Sequence, residues 1–376
     1  MIINFKKSIS WSEIFFVTLG NERQMVRRQR LHFKNKQTSF EVDLEDEKYI
    51  YFTNGKIDSE IVVLSNLIDE LELIFNHKTR RYTLNYSIKN HDDYGTIRTI
   101  KFKDDINLKF RRGHSKIVNI RTPSNYDENK EYGVIFMFDS QNIFDVKKFG
   151  EYTKRNDPYG GWQVESALEK CSQKYGDDYI VVGIDDSDKY RMLELMENDT
   201  NVDYRKEVLE HIDIPLNQLK KASLDSYGLF ILNTLLPYLE TNYKIKKYNI
   251  GICGSSAGGN ASLYLGLKHP DVFRFVFTLT PAFGFYTDES LVKYFKTRIT
   301  KDSPQPEIYY FQGLNCDLEK LLAATNKNLL EDLAEIGISK ENIVYYLEVT
   351  ADHNEDPWRY VFNYFLDLHA QKSINY

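Results

Sequence analysis

The chain contains little cysteine and no long apolar run, and these absences exclude several classes of protein. Its three cysteines, Cys171, Cys253 and Cys316, are spread along 376 residues, which does not suit a disulfide framework or a thiolate zinc site. No apolar stretch approaches the roughly 20 residues of a membrane-spanning helix, and the first residues lack the basic-then-apolar order of a signal peptide. We therefore expect a cytoplasmic protein with no membrane partner.

Positive charge is not in excess either, and the motifs of common cofactor sites are missing. Lysine and arginine number 49 against 55 acidic residues, so the net charge of −6 gives no general attraction to nucleic acid. The sequence has no H-E-x-x-H, EF-hand or dinucleotide-binding motif, so no metal and no cofactor are predicted. A hydrophobic content of 42% and an aromatic content of 14% are instead typical of a folded protein with a sizeable core.

Residues 1–112 have the pattern of an antiparallel β-sandwich. Short apolar runs with a period of about two residues alternate with turn signals such as Gly20-Asn21 and Asn54-Gly55. Aromatic residues of this segment resemble those that stack on sugars in carbohydrate-binding modules, although core positions explain them equally well; they are Trp11, Phe15, Tyr49, Tyr51 and Phe52. A cluster of arginines suits either an anionic ligand or a solvated sheet edge; it consists of Arg23, Arg27, Arg28 and Arg30. We predict a domain that shapes or recruits substrate and performs no chemistry.

Residues 113–376 change to apolar strands separated by amphipathic helices. Strands that are apolar throughout, each followed by a helix, indicate an α/β fold with a mostly parallel sheet covered on both faces. The predicted strands are Gly133–Phe138, Tyr179–Ile184, Tyr248–Cys253, Phe273–Leu279, Glu307–Phe311 and Ile343–Val349. The predicted helices are Trp162–Tyr175, Leu224–Asn242, Ala257–Lys268, Leu318–Ile336 and Pro357–His369. Ligands of such sheets bind at the carboxyl ends of the strands, so chemistry is expected there.

One loop of this domain has the pattern of a serine nucleophile. Gly254-Ser255-Ser256-Ala257-Gly258 fits G-x-S-x-G, lies directly after a predicted strand and leads into a helix of small residues. This strand–turn–helix context is that of a nucleophile elbow. At the start of the helix, the N–H of Ala257 could stabilise an oxyanion beside Ser256. A Gly/Ser-rich loop that binds phosphate or nothing is the alternative, but the lysine of a Walker loop is missing.

A base and an acid should follow this serine along the chain, with the acid first. His353 comes a few residues after the last predicted strand and is expected to act as general base; an exposed loop histidine is the alternative. Asp317 is the first carboxylate after the strand Glu307–Phe311 and is the first candidate for the acid, although it also suits the N-cap of the next helix. Glu319 is the second candidate.

With these residues in place, the chain resembles the esterase D (putative esterase) branch of the α/β-hydrolases from about residue 116 to the C-terminus. This branch contains enterochelin-type siderophore esterases, feruloyl and acetylxylan esterases and S-formylglutathione hydrolases. Four segments carry the resemblance. The family motif D-G-Q-N-x-F-D is matched by Asp139-Ser140-Gln141-Asn142-Ile143-Phe144-Asp145, and W-x-V-D-E-A-L is matched by Trp162-Gln163-Val164-Glu165-Ser166-Ala167-Leu168. The motifs V-V-G-I-D and R-x-x-E are matched by Val181-Val182-Gly183-Ile184-Asp185 with Arg191 and Glu194, and H-N-E-x-x-W-R is matched by His353-Asn354-Glu355-Asp356-Pro357-Trp358-Arg359.

The resemblance implies an α/β-hydrolase fold, Ser256 as nucleophile and His353 as base. It also implies a second oxyanion N–H from Ser140 or Gln141, beside that of Ala257. Residues of the shared motifs that we expect to contact substrate are Trp162, Arg191 and Trp358.

Two positions depart from the pattern of the family. Ser140 stands where the family has glycine, which affects how the oxyanion loop approaches the substrate. The family places its acid three residues after a glycine, but Cys316 occupies that position here and Asp317 follows it.

We therefore predict a serine hydrolase that cleaves a carboxylic ester through a Ser-His-Asp triad and an acyl-enzyme. The expected substrate is a small imported molecule or glycan ester, such as an acylated sugar or a siderophore lactone. The alternative is a hydrolase domain that has lost catalysis and serves as a carbohydrate-binding or scaffolding protein. A homo-oligomer is left open.

Overall fold

The chain forms two compact units, one comprising Met1–Asp93 and Asn156–Gly160 and the other Tyr94–Arg155 and Gly161–Tyr376. The structure is a computed structural model. It describes residues 2–7, 13–20, 23–34, 37–43, 45–54, 56, 62–63, 68–76, 81–88, 94–103, 115–144, 160–186, 190–198, 202–205, 222–299 and 303–374.

The first unit contains two four-stranded sheets, with strand orders β4-β1-β7-β8 and β3-β2-β5-β6. Their strands are β1 (Ile2–Lys7), β2 (Phe15–Leu19), β3 (Met25–Arg30), β4 (Gln37–Glu41), β5 (Tyr49–Thr53), β6 (Val62–Val63), β7 (Ile68–Asn76) and β8 (Arg81–Ile88). Most neighbours pair in the antiparallel sense that the period-two pattern predicts, but β1 and β7 are parallel.

Stacked phenyl rings join these two sheets into a sandwich. Phe5 of one sheet stacks on Phe52 of the other at 4.2 Å between ring centroids, and Phe40 stacks on Phe16 at 4.3 Å. Phe52 is fully buried and Tyr49 nearly so, which makes both core residues rather than platforms for sugar rings. Trp11 lies outside the described residues.

The arginine cluster lies on and beside β3, which is an edge strand of its sheet. Arg27 pairs with Glu47, Arg30 pairs with Glu13, and the Arg28 guanidinium lies over the Phe15 ring. Charged side chains along an edge strand discourage pairing with another chain. The cluster thus matches the sheet-edge interpretation.

The second unit is built on an eight-stranded sheet with the order β16-β15-β14-β13-β11-β12-β10-β9. Its strands are β9 (Thr96–Lys103), β10 (Ser115–Thr122), β11 (Tyr132–Phe138), β12 (Tyr179–Ile184), β13 (Ile245–Ser255), β14 (Phe275–Leu279), β15 (Glu307–Gly313) and β16 (Ile343–Glu348). From β12 through β16 all neighbours are parallel, while β10 pairs antiparallel with both β12 and β9. The mostly parallel sheet predicted from the sequence is confirmed.

Helices follow most of the parallel strands. They are α1 (Ser140–Ile143), α2 (Val164–Tyr175), α3 (Arg191–Leu195), α4 (Leu224–Phe230), α5 (Leu236–Asn242), α6 (Ala257–Lys268), α7 (Asp288–Lys296), α8 (Asp317–Thr325), α9 (Leu329–Ile336) and α10 (Glu355–Ile374). A π-helical turn, Ile231–Leu235, joins α4 to α5, and short 3₁₀ turns span Ala282–Phe285 and Lys340–Asn342. Within the described ranges, no helix is both long and apolar enough to cross a membrane.

Alternate residues of each buried strand contribute to two separate hydrophobic cores. In β11, Val134 and Phe136 enter the core formed with α4 to α9, whereas Ile135 and Met137 enter the core formed with α2 and α10. Because successive side chains of a strand point to opposite faces, a strand between two helical layers must be apolar throughout. This requirement explains the unbroken apolar runs in the sequence.

The boundary between the two units lies after Asp93 and not at residue 112 as predicted. The reason is β9, which pairs along its whole length with β10 and so belongs to the large sheet. An antiparallel edge strand has the same alternating pattern as a strand of a sandwich, so the pattern alone assigned β9 to the wrong unit.

The long helix predicted at Leu318–Ile336 is divided into α8 and α9. Between them, the buried Asn326 side chain donates to the carbonyl oxygen of Pro281 at 2.7 Å and accepts from the N–H of Gly284 at 2.6 Å. These contacts tie Asn326 to the loop after β14, and the break between α8 and α9 begins at this residue.

The placement of β9 predicts how the second unit responds to mutation. Phe102 packs edge-on against Phe230 and Tyr238 at 5.6 and 5.9 Å between ring centroids, so Phe102→Ala should lower the free energy of unfolding of this unit by about 2 kcal/mol or more. Lys101→Ala, at an exposed position of the same strand, should change it by less than about 0.5 kcal/mol.

This effect can be measured in a Trp11→Phe background by urea unfolding followed through tryptophan fluorescence. The two remaining tryptophans, Trp162 and Trp358, both lie in the second unit. Equal unfolding midpoints for the Phe102→Ala and Lys101→Ala proteins would show that β9 does not pack into this unit.

Candidate active site

The carboxyl edge of the large sheet collects the residues that the sequence singled out. Because β11 to β16 are parallel, the loops that follow them all emerge at this edge. These loops begin at Asp139 after β11, Asp185 after β12, Ser256 after β13, Thr280 after β14, Leu314 after β15 and Val349 after β16.

Ser256 lies in a sharp turn between β13 and α6. Its backbone has φ 56° and ψ −121°, a left-handed conformation that side chains rarely adopt. The turn is held by three backbone hydrogen bonds: the Ser256 N–H donates to Leu279 at 2.9 Å, and the Ser256 carbonyl accepts from Asn260 at 2.9 Å and from Ala282 at 3.0 Å. Ser256 is also the one residue between Gly251 and Leu267 that is not buried.

The two glycines of the pentapeptide are required by the closeness of the chain. A Cβ atom at Gly254 would lie 2.5 Å from the backbone of Gly258, and one at Gly258 would lie 2.9 Å from Asp139 Oδ2. Both distances are shorter than real Cβ contacts, so side chains there would open the turn. The second contact also shows that the start of α6 packs directly on the Asp139 turn.

His353 follows β16 and pairs with Glu319. The Nδ1 atom of His353 lies 2.9 Å from Oε1 of Glu319, whose side chain is fully buried, while the imidazole is 11% exposed. A buried carboxylate at Nδ1 favours the tautomer that has its proton on that nitrogen.

Asp317 does not occupy the place that was predicted for it. Its side chain is fully exposed, and its Oδ1 atom lies 3.9 Å from Lys320 Nζ. Asp317 is the first residue of α8, and Glu319 two residues later is turned by about 200° around the helix axis. One carboxylate therefore points to solvent and the other to the sheet, and the second candidate for the acid is the one beside His353.

A buried polar network holds Glu319. Gln312 donates from Nε2 to Glu319 Oε2 at 2.9 Å, and Tyr310 donates its hydroxyl to Gln312 Oε1 at 3.0 Å. Burial raises the pKa of Tyr310, which keeps this hydroxyl protonated as a donor. Gly313 leaves room for the carboxylate, because a Cβ atom there would lie 2.9 Å from Glu319 Cδ. Sequence patterns did not point to Gln312 or Tyr310, since both lie within an apolar strand.

A second set of contacts links the His353 ring to the serine turn. Trp358 packs edge-on against His353 at 5.0 Å between ring centroids and donates from Nε1 to Thr280 Oγ1 at 3.1 Å. Thr280 directly follows Leu279, whose carbonyl accepts from the Ser256 N–H. The histidine and the serine are thus positioned by the same segment of chain.

The turn after β11 lies beside the serine turn and contains the other predicted oxyanion groups. Asp139 has a left-handed backbone, φ 60° and ψ 47°, and Ser140 and Gln141 begin α1, so their N–H groups have no acceptor within that helix. Both side chains are buried, and Gln141 Nε2 has no hydrogen-bond partner among the described residues. Ala257 is likewise the first residue of α6, so its N–H has no acceptor within that helix.

The three residues expected to contact substrate all contact other side chains of the protein; they are Arg191, Trp162 and Trp358. Arg191 forms a bidentate ion pair with Asp139, at 2.7 Å from Nε to Oδ1 and 2.8 Å from Nη2 to Oδ2. Trp162 and Trp358 are 2% and 5% exposed and pack against each other at 5.9 Å between ring centroids. In this structure the two indoles lie in the interior instead of on an open surface, and Arg191 holds the turn after β11 through Asp139.

Among the residues that the structure describes, no three His, Cys, Asp or Glu side chains come together in a way that could hold a metal ion.

A serine elbow and a histidine–carboxylate pair at the carboxyl edge of a mostly parallel sheet define the α/β-hydrolase class. Within this class, the sequence pattern of the family described as Putative esterase matches residues 112–366. The chain belongs to that family and is a carboxylic ester hydrolase. None of the curated proteins matches the chain.

Solved structures share the fold at low sequence identity. Siderophore hydrolase EstA from Aspergillus nidulans is 12% identical over 77% of this chain and 99% of its own, with a TM-score of 0.53. An IroE-like serine hydrolase from Shewanella oneidensis is 13% identical over 73% and 79%, with a TM-score of 0.51. The BES protein from Bacillus cereus is 15% identical over 75% and 96%, with a TM-score of 0.50. These likenesses confirm the fold.

The geometry predicts which carboxylate matters for turnover. Glu319→Gln removes the charge beside His353 Nδ1 and should lower kcat on the order of 10⁴-fold, as the loss of a triad carboxylate does. Asp317→Asn, two residues away and fully exposed, is the matched control and should stay within about two-fold of wild type. Steady-state rates of hydrolysis of an activated ester measure both effects. If Asp317→Asn lowers kcat more than Glu319→Gln does, Asp317 is the acid and the assignment of Glu319 is wrong.

The ion pair of Arg191 makes a separate prediction about kcat and KM. Lysine cannot form the bidentate contact, so Arg191→Lys should lower kcat about ten-fold with little change in KM, because the oxyanion turn shifts. Arg121→Lys is the control, since Arg121 pairs with Glu169 near the other edge of the sheet. If Arg191 instead binds substrate in the ground state, Arg191→Lys will raise KM and leave kcat unchanged.

Proposed function

We propose that this protein hydrolyses a carboxylic ester with Ser256 as nucleophile, His353 as general base and Glu319 as the acid of the triad. The observation that carries the proposal is the contact of 2.9 Å between His353 Nδ1 and the fully buried Glu319 carboxylate. It occurs at the same sheet edge as a serine whose backbone is held in a left-handed conformation. Such strain persists only where surrounding structure maintains it, and it is common at active sites.

The reaction would begin with attack of Ser256 Oγ on the ester carbonyl. His353 takes the serine proton at Nε2, and Glu319 stabilises the imidazolium through Nδ1–H. The N–H of Ala257, together with that of Ser140 or Gln141, stabilises the tetrahedral oxyanion. His353 then protonates the leaving alcohol, which departs and leaves an acyl group on Ser256. In the second half, His353 activates a water molecule that releases the acid and restores the serine.

We propose a small ester as the substrate, such as a siderophore lactone or an acylated sugar. Two solved structures of this fold are named as siderophore hydrolases, EstA and EstB from Aspergillus nidulans, which makes a siderophore lactone the first substrate to test. Two further points remain predictions from the sequence: the role of the first unit in recruiting or shaping the substrate, and the cytoplasmic location. The oligomeric state stays open.

A hydrolase domain without catalysis is the rival hypothesis, and the site argues against it. A scaffolding protein has no use for a strained serine, for a buried carboxylate at His353 or for the network from Tyr310 to Glu319. Buried charges and left-handed residues destabilise a fold unless neighbouring groups compensate for them. The presence of these features together at the carboxyl edge of the sheet favours a catalytically active enzyme.

The test is a pair of measurements on the full chain. Wild type should react covalently with a fluorophosphonate probe and hydrolyse p-nitrophenyl esters, whereas Ser256→Ala should do neither while keeping its circular dichroism spectrum. The loss in kcat should be on the order of 10⁴-fold or more, since an oxyanion hole alone leaves only residual catalysis.

Ser255→Ala is the matched control, because Ser255 is the neighbouring serine and is buried. It should keep both the labelling and the turnover. Turnover of Ser256→Ala within a few-fold of wild type, or labelling that depends on Ser255, would contradict the assignment of the nucleophile.

A further inference from the structure

The side chain of Ser140 is unusual for its place in the oxyanion turn. The family resemblance predicts glycine there, but this chain has a serine that is 1% exposed. Its hydroxyl accepts from Asn119 Nδ2 at 2.9 Å and donates to Asp185 Oδ1 at 2.8 Å. Both capacities of the hydroxyl are therefore used in the interior of the protein.

These two contacts belong to a longer series of hydrogen bonds in which each side chain donates to the next. Thr99 of β9 donates from Oγ1 to Asn119 Oδ1 at 2.7 Å, Asn119 of β10 donates to Ser140, and Ser140 donates to Asp185 after β12. The backbone N–H of Asp185 in turn donates to Ile117 of β10 at 3.0 Å. Ser140 is the point at which this network across three strands reaches the oxyanion turn.

The sheet is shaped to accept this side chain. Gly183 of β12 lies under the turn, and a Cβ atom there would come within 2.7 Å of Ser140 Cβ and 2.8 Å of Ile143 Cδ1. A larger residue at 183 would therefore push α1 away from the sheet. A serine at 140 and a glycine at 183 fit together.

The residues on both sides of Ser140 are fixed by different elements. Asp139 is held by Arg191 of α3, and the Gln141 side chain accepts from the backbone N–H of Asp186 at 3.3 Å. Asp139 is left-handed, a conformation costly for a residue with a side chain. Three successive side chains thus determine where the N–H groups of Ser140 and Gln141 lie.

We propose that the Ser140 hydroxyl is a positioning group for the oxyanion hole, which fixes the second N–H donor through Asn119 and Asp185. The inference rests on the proposed function, because it concerns the same reaction. An oxyanion donor acts only when it is held at hydrogen-bond distance from the developing charge. A network that ties the turn to β9, β10 and β12 supplies that rigidity in this chain.

The experiment compares Ser140→Ala with Ser124→Ala in the full chain. Ser124 also donates its hydroxyl to a carboxylate, Glu169, at 2.6 Å, but it follows β10 at the other edge of the sheet. Ser140→Ala should lower kcat on the order of ten-fold with KM within about two-fold, and should slow fluorophosphonate labelling to the same degree. Ser124→Ala should leave all three quantities unchanged, although both variants lose a hydrogen bond and some thermal stability.

A second variant tests whether the network acts as a unit. Asn119→Leu removes the donor to Ser140 and should lower kcat similarly, and the double variant with Ser140→Ala should be little worse than either single one. If Ser140→Ala does not fold, Ser140→Gly replaces it in the experiment, because glycine is the residue typical of the family at this position. Ser140→Gly should also have a lower kcat than wild type.

The outcomes separate this inference from the proposed function. Turnover that depends on Ser256 but survives Ser140→Ala and Ser140→Gly within two-fold would overturn the positioning role alone. A raised KM at unchanged kcat would also overturn it, because Ser140 would then bind substrate. Wild-type turnover that does not depend on Ser256 would overturn both proposals.

Discussion

The left-handed backbone of Ser256 is the constraint on which the arrangement of the site depends. A conformation of this kind in a residue with a side chain costs on the order of 1–3 kcal/mol and persists only where neighbours over-determine it. Here the serine turn is tied to the end of β14 through Leu279 and to the following loop through Ala282. The turn is therefore a product of the parallel sheet, since only parallel strands bring these loops to one edge.

From this turn, a continuous series of contacts leads to Glu319, the proposed acid. Thr280 after Leu279 accepts from the Trp358 indole, the indole packs on His353, and His353 pairs with Glu319. Each step joins a loop at the end of a different strand or the start of α10. The buried Trp358 thus joins the segment that holds the serine turn to the histidine.

Sequence patterns predicted the parts of the protein in which one physical rule dominates. Strands buried on both faces are apolar throughout, so β11 to β16 were placed within a few residues of their true ends. The elbow followed from the steric demand for Gly254 and Gly258. The alternation of apolar and polar residues did not assign β9 correctly, because strands of a sandwich and antiparallel edge strands of a mixed sheet both have this pattern.

Side-chain direction was harder to predict than position along the chain. Asp317 and Glu319 are both acidic, and both lie in the first turn of α8. Which of them meets His353 depends on the rotation of that helix relative to the sheet, and short sequence patterns do not contain this angle. The contacts of Ser140 with Asn119 and Asp185 could not be predicted from short sequence patterns either, because they join residues 21 and 45 positions apart.

The central claim is that an acyl group passes through Ser256, and trapping that group tests it most directly. Wild-type protein would be mixed with a slowly turned-over p-nitrophenyl ester, quenched in acid during steady state, digested and mapped by mass spectrometry. The account predicts a single added acyl group on Ser256, which accumulates as p-nitrophenol is released and decays when the ester is consumed. Steady hydrolysis with Ser256 unmodified at every time point, or with the acyl group on another residue, would contradict it.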